Sequence, residues 1–286
     1  SMPFQFFAWF SSLSSGVSVL ALKFATKHRI KNPWHFNFLT MGCITLFTIT
    51  ASLIVGVSRP AFFQPILIAG ILSGLVSIAF TFSLYKLDIT VLSPLFSFRT
   101  LFGLVLGAVI SHEAITRSDV FYILLIFIAG FFVSYDKKLK LRSFFQWGIV
   151  YILLMTLGLA FFGVFIQKAV AVNGFWTTTF YVSIIAFLTI LPTLAIGREK
   201  LAFTRGAMVF VAIAAFLDTL SRIAAQRAYA ENYTISQAII VLPFSMFFAF
   251  LLALWKPSLL ESNPLSVYVI RFIAGGAMIF AAIQLS

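Results

Sequence analysis

The sequence predicts an all-α integral membrane protein: ten transmembrane helices arranged as two five-helix inverted repeats. Three observations predict it. First, 61% of the 286 residues are hydrophobic and only 10% are charged, against roughly 45–50% and about 25% in soluble domains. A soluble chain of this length could not hide so much apolar surface. Second, the apolar residues fall into long runs between polar breaks, each near the roughly 20 residues that cross a bilayer. Third, the second half of the chain repeats features of the first.

In chain order, the expected spans are about 5–26, 35–57, 63–86, 90–111, 119–136, 145–169, 174–197, 205–229, 235–256 and 264–285. The breaks carry stop signals: "KHRIKNP", "SRP", "LD", "HEAITRSD", "DKKLKLRS", "VNG", "GREKLAFTR", "ENYT" and "KPSLLESNP". The runs are apolar all round and too long for the alternating strands of a barrel. The first has no basic segment before it and no small-residue cleavage pattern after it, so it reads as a retained helix. Ser1–Met2 reads as a residual tag.

The net charge of +12 belongs to the membrane surface rather than to nucleic acid, because the basic residues sit mostly between apolar runs. They concentrate in "KHRIK", "DKKLKLR" and "GREKLAFTR", after spans 1, 5 and 7. The positive-inside rule makes that side cytoplasmic and places both termini outside. The single Cys43 allows no intrachain disulfide. His28, His35 and His112 are far apart, and neither a metal-ligand cluster nor a phosphate loop stands out, so no cofactor is expected.

The repeat shows in several places. "FIAGFFV" at 127–133 answers "FIAGGAM" at 272–278. Tyr85 answers Tyr229, and Trp34 answers Trp176. Five spans per half force the second copy to enter from the opposite face, the inverted architecture of many secondary transporters. The expected units are 1–136, a basic linker 137–144, and 145–286.

The segment "LYKLDITVLSPLFSFRTLFGLVLGAVISHEAITRSDVFYILLIFIAGFFV" and its counterpart "AYAENYTISQAIIVLPFSMFFAFLLALWKPSLLESNPLSVYVIRFIAGGAMIF" resemble the closing half of an EamA-type repeat of the drug/metabolite transporter superfamily. The resemblance covers nearly the whole chain, through pattern more than through invariant residues. Glu113 matches the family's glutamate in the turn between helices 4 and 5, with Ser111–His112 where glycine is usual. Pro243 matches its helix 9 proline. Arg99–Thr100 stands at that place in the first half, and Lys256–Pro257 at the place of the glutamate turn in the second. The resemblance implies transport and cytoplasmic termini, the reverse of the charge count.

Polar residues inside apolar spans carry the functional reading, since a charge at the bilayer centre costs about 2.5–3.5 kcal/mol and must face protein or water. In "FLDTLSRIAAQRAY" Asp218 and Arg222 stand one turn apart, with Gln226 and Tyr229 continuing the stripe. Arg99 has no acid near it on its own span, and Arg271 lies about a third of the way into the last. Ser73, Ser77 and Thr81 form a hydroxyl stripe in span 3; Ser11, Ser15 and Ser18 form one in span 1. Such stripes also serve plain helix packing, and Gly103–Gly107 reads as a packing seam.

The substrate-binding set expected is Arg99, Asp218, Arg222, Gln226, Tyr229, Arg271, Ser77 and Thr81. With one deep acid and three deep bases, the cavity favours negative charge. The expected function is secondary transport of a small anionic or zwitterionic metabolite by alternating access. A lipid flippase of the same fold, or a membrane-embedded enzyme, are the alternatives. The expected partners are the small-molecule substrate and the lipid bilayer, with no nucleic acid; a monomer is expected, with a dimer as the alternative. The expected place is the bacterial inner (plasma) membrane.

Overall fold

The computed structural model describes residues 3–28, 30–86, 89–133, 147–196, 204–255 and 265–286. The expected linker 137–144 and the turn at Lys256–Pro257 lie outside them. Within them the chain forms α1 (Phe4–His28), α2 (Pro33–Val55), α3 (Gln64–Lys86), α4 (Ile89–Val109), α5 (Arg117–Val133), α6 (Trp147–Asn173), α7 (Phe175–Ile190, followed by a 3₁₀ turn, Leu191–Ala195), α8 (Arg205–Glu231), α9 (Tyr233–Ile240), α10 (Phe244–Trp255) and α11 (Leu265–Leu285). Among the described residues, eight stretches are long and apolar enough to cross a bilayer, one of them running through α9 and α10; the apolar part of α4, Phe96–Val109, is shorter. The protein is a multi-pass integral membrane protein.

Local signals set the helix ends. Asn32 caps α2, its side chain accepting from Trp34 N and His35 N, and Pro33 fills the first helical position. A single residue, Gly174 at φ 78°, turns the chain between α6 and α7, a left-handed conformation that only glycine adopts cheaply. Asn232 ends α8 and caps α9 by accepting from Ile235 N.

One expected span is interrupted. The run predicted as 235–256 divides into α9 and α10, with Val241–Pro243 between them. Pro243 has no N–H and its ring blocks a continuing helix; its carbonyl starts α10 by accepting from Met246 N.

The interior mixes apolar clusters with many small polar side chains, and the exterior is apolar. Ser11, Ser18, Thr48, Ser52, Ser97, Thr100, Thr178 and Ser236 are buried, while Ile54, Leu46, Val105, Phe121, Leu154 and Ile273 are more than half exposed. This is the pattern expected when the surrounding solvent is lipid and small polar side chains mediate close helix contact. Gly103 and Gly107 do form a seam. A Cβ at Gly103 would stand 3.1 Å from Gln237 Cβ, and one at Gly107 would overlap Thr234 Oγ1.

Neighbour relations repeat when the two halves are exchanged. α1 packs on α8, and α6 packs on α3; α2 packs on α8, and α7 on α3. α4 packs on α6, while α9 and α10 pack on α1. α2 meets α7, and α5 meets α11.

Candidate binding site

At the centre, residues of α1, α3, α4, α6, α8 and the α9–α10 break enclose a cavity of about 220 Å³. α8 supplies Asp218, Ser221, Arg222, Ala225 and Tyr229. With about 100° per residue, a step of four drifts about 40° around the helix, while eleven residues return almost to the start. Tyr229 therefore comes back to the face of Asp218. Gln226 has drifted about 80° away; it is buried and accepts from Thr179 Oγ1 on α7 at 3.0 Å.

Arg222 Nε donates to Asp218 Oδ2 at 2.7 Å, with the side chains 33% and 16% exposed. The pair is internal to α8 and open to the cavity. Arg99, on α4, is buried at 9% exposure. Its partners come from across the bundle: Nε donates to Gln237 Oε1 of α9, and Nη2 donates to the Tyr229 hydroxyl of α8. The guanidinium also stands 5.7 Å from the Tyr229 ring centroid, within cation–π range. An arginine has five N–H donors; those beyond these two make no hydrogen bond among the described residues. Since Arg99 lines the cavity, its unused donors can serve a ligand.

Ser77 lines the cavity but donates to Gly74 O at 2.8 Å. Thr81, one turn on, donates to Asn37 Oδ1 of α2 at 3.1 Å and lies outside the lining. Arg271 is buried on α11, which packs against α5 at the side of the bundle, and it too lies outside the lining. Thus Arg99, Asp218, Arg222, Tyr229 and Ser77 meet in one cavity; Gln226, Thr81 and Arg271 do not.

The residues missed in the sequence sit on α9. Gln237 is fully buried and steers Arg99. A lone amide inside the apolar run "TISQAIIVLP" was its signal, because an apolar span rarely tolerates an idle polar group. Tyr233 OH donates to Ala160 O of α6 at 2.7 Å. Gly163 lets α6 approach: a Cβ there would lie 2.6 Å from both Gln237 Nε2 and the Tyr233 ring. α9 is held at its start by Glu113, which accepts from Tyr233 N at 2.7 Å, Thr234 N at 2.9 Å and Gln167 Nε2 at 2.9 Å. A carboxylate at a helix N-terminus satisfies unpaired amides and opposes the helix dipole. His112, where glycine is usual in the resembled family, carries a positive φ of 52° as the chain turns to aim Glu113.

Further joints lie at this end of the bundle. Ser58 N and Oγ lie 3.1 and 3.0 Å from Thr177 Oγ1, and Asn173 pairs with both Phe62 N and Phe62 O at 2.9 Å.

No curated protein matches the chain. A solved crystal structure matches over 99% of this chain and 98% of its own, with TM-score 0.68 and 14% identity; that likeness shows the fold alone. The EamA-like transporter family model matches residues 2–135. The first half of this chain is thus similar to the EamA-like transporter family, which lies within the drug/metabolite transporter superfamily.

Proposed function

We propose that this protein is a secondary transporter of a small organic solute carrying negative charge, working by alternating access between two five-helix inverted repeats, 1–136 and 145–286. The observation that carries the reading is Arg99. It is a buried cation whose unused donors face the central cavity, while the second cation there, Arg222, is already paired with Asp218. Together with Asp218 the two arginines leave the described lining one positive charge in excess, which suits one anionic group. The α9–α10 break supports the same reading. Its residues Ile240–Pro243 and Ser245 line the cavity, and the N-terminal end of a half-helix favours an anion.

The exchange of neighbours between halves supports the inverted repeat. The hydrogen-bonded joints at Ser58–Thr177, Phe62–Asn173 and Glu113–α9 all link the first half to the second at one end, and we take them as the closed gate. By the charge rule that end is extracellular, and the cytoplasmic end carries the basic loops. A cysteine introduced near residue 140 and labelled in intact cells by an impermeant reagent would reverse this topology. A monomer in the bacterial inner membrane is the assembly and place we assign.

The test is solute counterflow in proteoliposomes, with candidates chosen by a thermal-shift screen of metabolites, since a bound ligand raises apparent stability. Saturable counterflow of an anion supports the reading. Absence of flux for every stabilising solute, or product formation without flux, overturns it.

A further inference from the structure

The cavity is richer in hydroxyls than an anion alone requires. Besides Ser77 it is lined by Ser11, Ser12, Ser15, Ser73, Ser221 and Ser245. Several are occupied within the protein. Ser11 Oγ lies 3.2 Å from Ser221 Oγ, which donates to Ser11 O at 2.9 Å, and Ser12 donates to Ile240 O at 3.4 Å. Ser15, Ser73 and Ser245 are different: their hydroxyls have no hydrogen-bond partner among the described residues and none is sealed away as a buried unpaired atom. A helical serine usually satisfies itself on the carbonyl one turn back, as Ser77 and Ser14 do. Ser73 forgoes that bond although it is only 8% exposed. It stands on α3, Ser15 on α1 and Ser245 at the start of α10, so the three hydroxyls approach the cavity from different helices.

Size and charge narrow the ligand further. An apolar cavity of about 150 Å³ accommodates benzene, so about 220 Å³ suits a solute on the order of ten non-hydrogen atoms. One excess positive charge matches one negative charge. Phe80, Phe96, Phe162 and Leu159 also line the space and can cover the carbon skeleton.

Resting on the transport reading above, we infer that the substrate class is small polyhydroxylated monoanions, of which a sugar acid is the simplest chemistry. Arg99 takes the carboxylate; Ser15, Ser73 and Ser245 take hydroxyl groups. An analogue lacking those hydroxyls leaves the serines unpaired in a closed site, and each lost hydrogen bond is felt in affinity.

The experiment uses the full chain in proteoliposomes. It measures counterflow of labelled gluconate against internal gluconate, with hexanoate and glucose as competitors. Hexanoate keeps the charge and length without hydroxyls; glucose keeps hydroxyls without charge. The expected result is saturable gluconate exchange, with both competitors at least about ten-fold weaker than unlabelled gluconate. Ser73→Ala and Ser245→Ala should each raise the KM for gluconate several-fold and leave hexanoate inhibition unchanged, which narrows the gap. Equal competition by hexanoate, or a gap unmoved in both variants, overturns the hydroxyl assignment and leaves anion transport standing. Failure of gluconate to move, while another solute from the metabolite screen does, also overturns this inference without touching the transport reading.

Discussion

On the inverted-repeat reading proposed above, α4 and the α9–α10 pair stand at matching places in the two halves, yet they reach the cavity differently. α4 continues as one helix and supplies a side chain, Arg99. The second-half element is broken at Pro243 and supplies backbone and the end of a half-helix. In the aligned repeats Arg99 stands where Pro243 stands. On that reading the same position gives charge from one half and a helix terminus from the other, and both line the central cavity. The difference teaches that a repeat can keep its packing while its two copies divide the work of a site. Gln237 links the two, since it rises from α9 to hold Arg99 on α4.

The largest effect should follow from removing the first half's contribution. Among the described residues, Arg99→Gln takes away the only cation in the lining without a carboxylate partner. Ligand binding should fall about a hundred-fold or more, the scale of a lost charged contact. Gln237 and Tyr229 lose their shared partner in this variant, so a melting-temperature decrease of a few degrees should accompany it. Near-wild-type binding would remove Arg99 from the site.

The next effect breaks the comparison from the other side. Pro243→Ala permits α9 and α10 to join. Transport should drop about ten-fold or more, because the break lines the cavity, while thermal stability should hold or rise. Full transport with a raised melting temperature would show that the break has no part in the site.

A smaller effect is expected from the pair on α8. Arg222→Gln leaves Asp218 without its partner in a poorly solvated cavity and should cost about 1–3 kcal/mol. Adding Asp218→Asn should restore most of that stability without restoring transport, since ion pairs can often be removed together at little cost. Normal transport by the double variant would make the pair purely structural. Yield, melting temperature and uptake of the three proteins decide it.

The smallest effect should come from Glu113→Gln, which keeps the shape but removes the charge at the start of α9 and leaves one accepting oxygen where two now serve Tyr233 N and Thr234 N. A loss of about 1 kcal/mol in stability is expected, with the preference among ligands intact. A changed ligand preference would mean that Glu113 acts on the cavity and not only on the position of α9.

Much of the fold was legible because lipid imposes strong rules on sequence. Long apolar runs and the polar breaks between them point to the membrane-spanning helices. Pro243 matches a proline of the resembled family, yet the expected span 235–256 runs through it. A run of apolar residues around one proline scores as a single span, whereas the backbone must stop where the N–H is missing.

The site was partly legible. Asp218, Arg222 and Tyr229 could be placed on one face from helical spacing alone. Gln226 resembles a member of that stripe because a step of four stays close to one face over short distances, although it drifts around the helix. Thr81 and Arg271 are polar at depth, but depth does not say which neighbour a side chain meets. The partners of Arg99 were out of reach, since Tyr229 and Gln237 lie 130 and 138 residues away in the chain.

The account rests on an aqueous, electropositive cavity centred on Arg99, and charge-selective thiol labelling tests it most directly. Ser15→Cys, in a Cys43→Ser background, places one thiol on the cavity wall. Its reaction rates with methanethiosulfonates bearing a sulfonate or a trimethylammonium group are compared, each normalised to a free thiol. The predicted result is a several-fold preference for the sulfonate reagent, abolished by adding Arg99→Gln. A preference for the cationic reagent, a sulfonate preference that survives Arg99→Gln, or no labelling by either reagent would contradict the account.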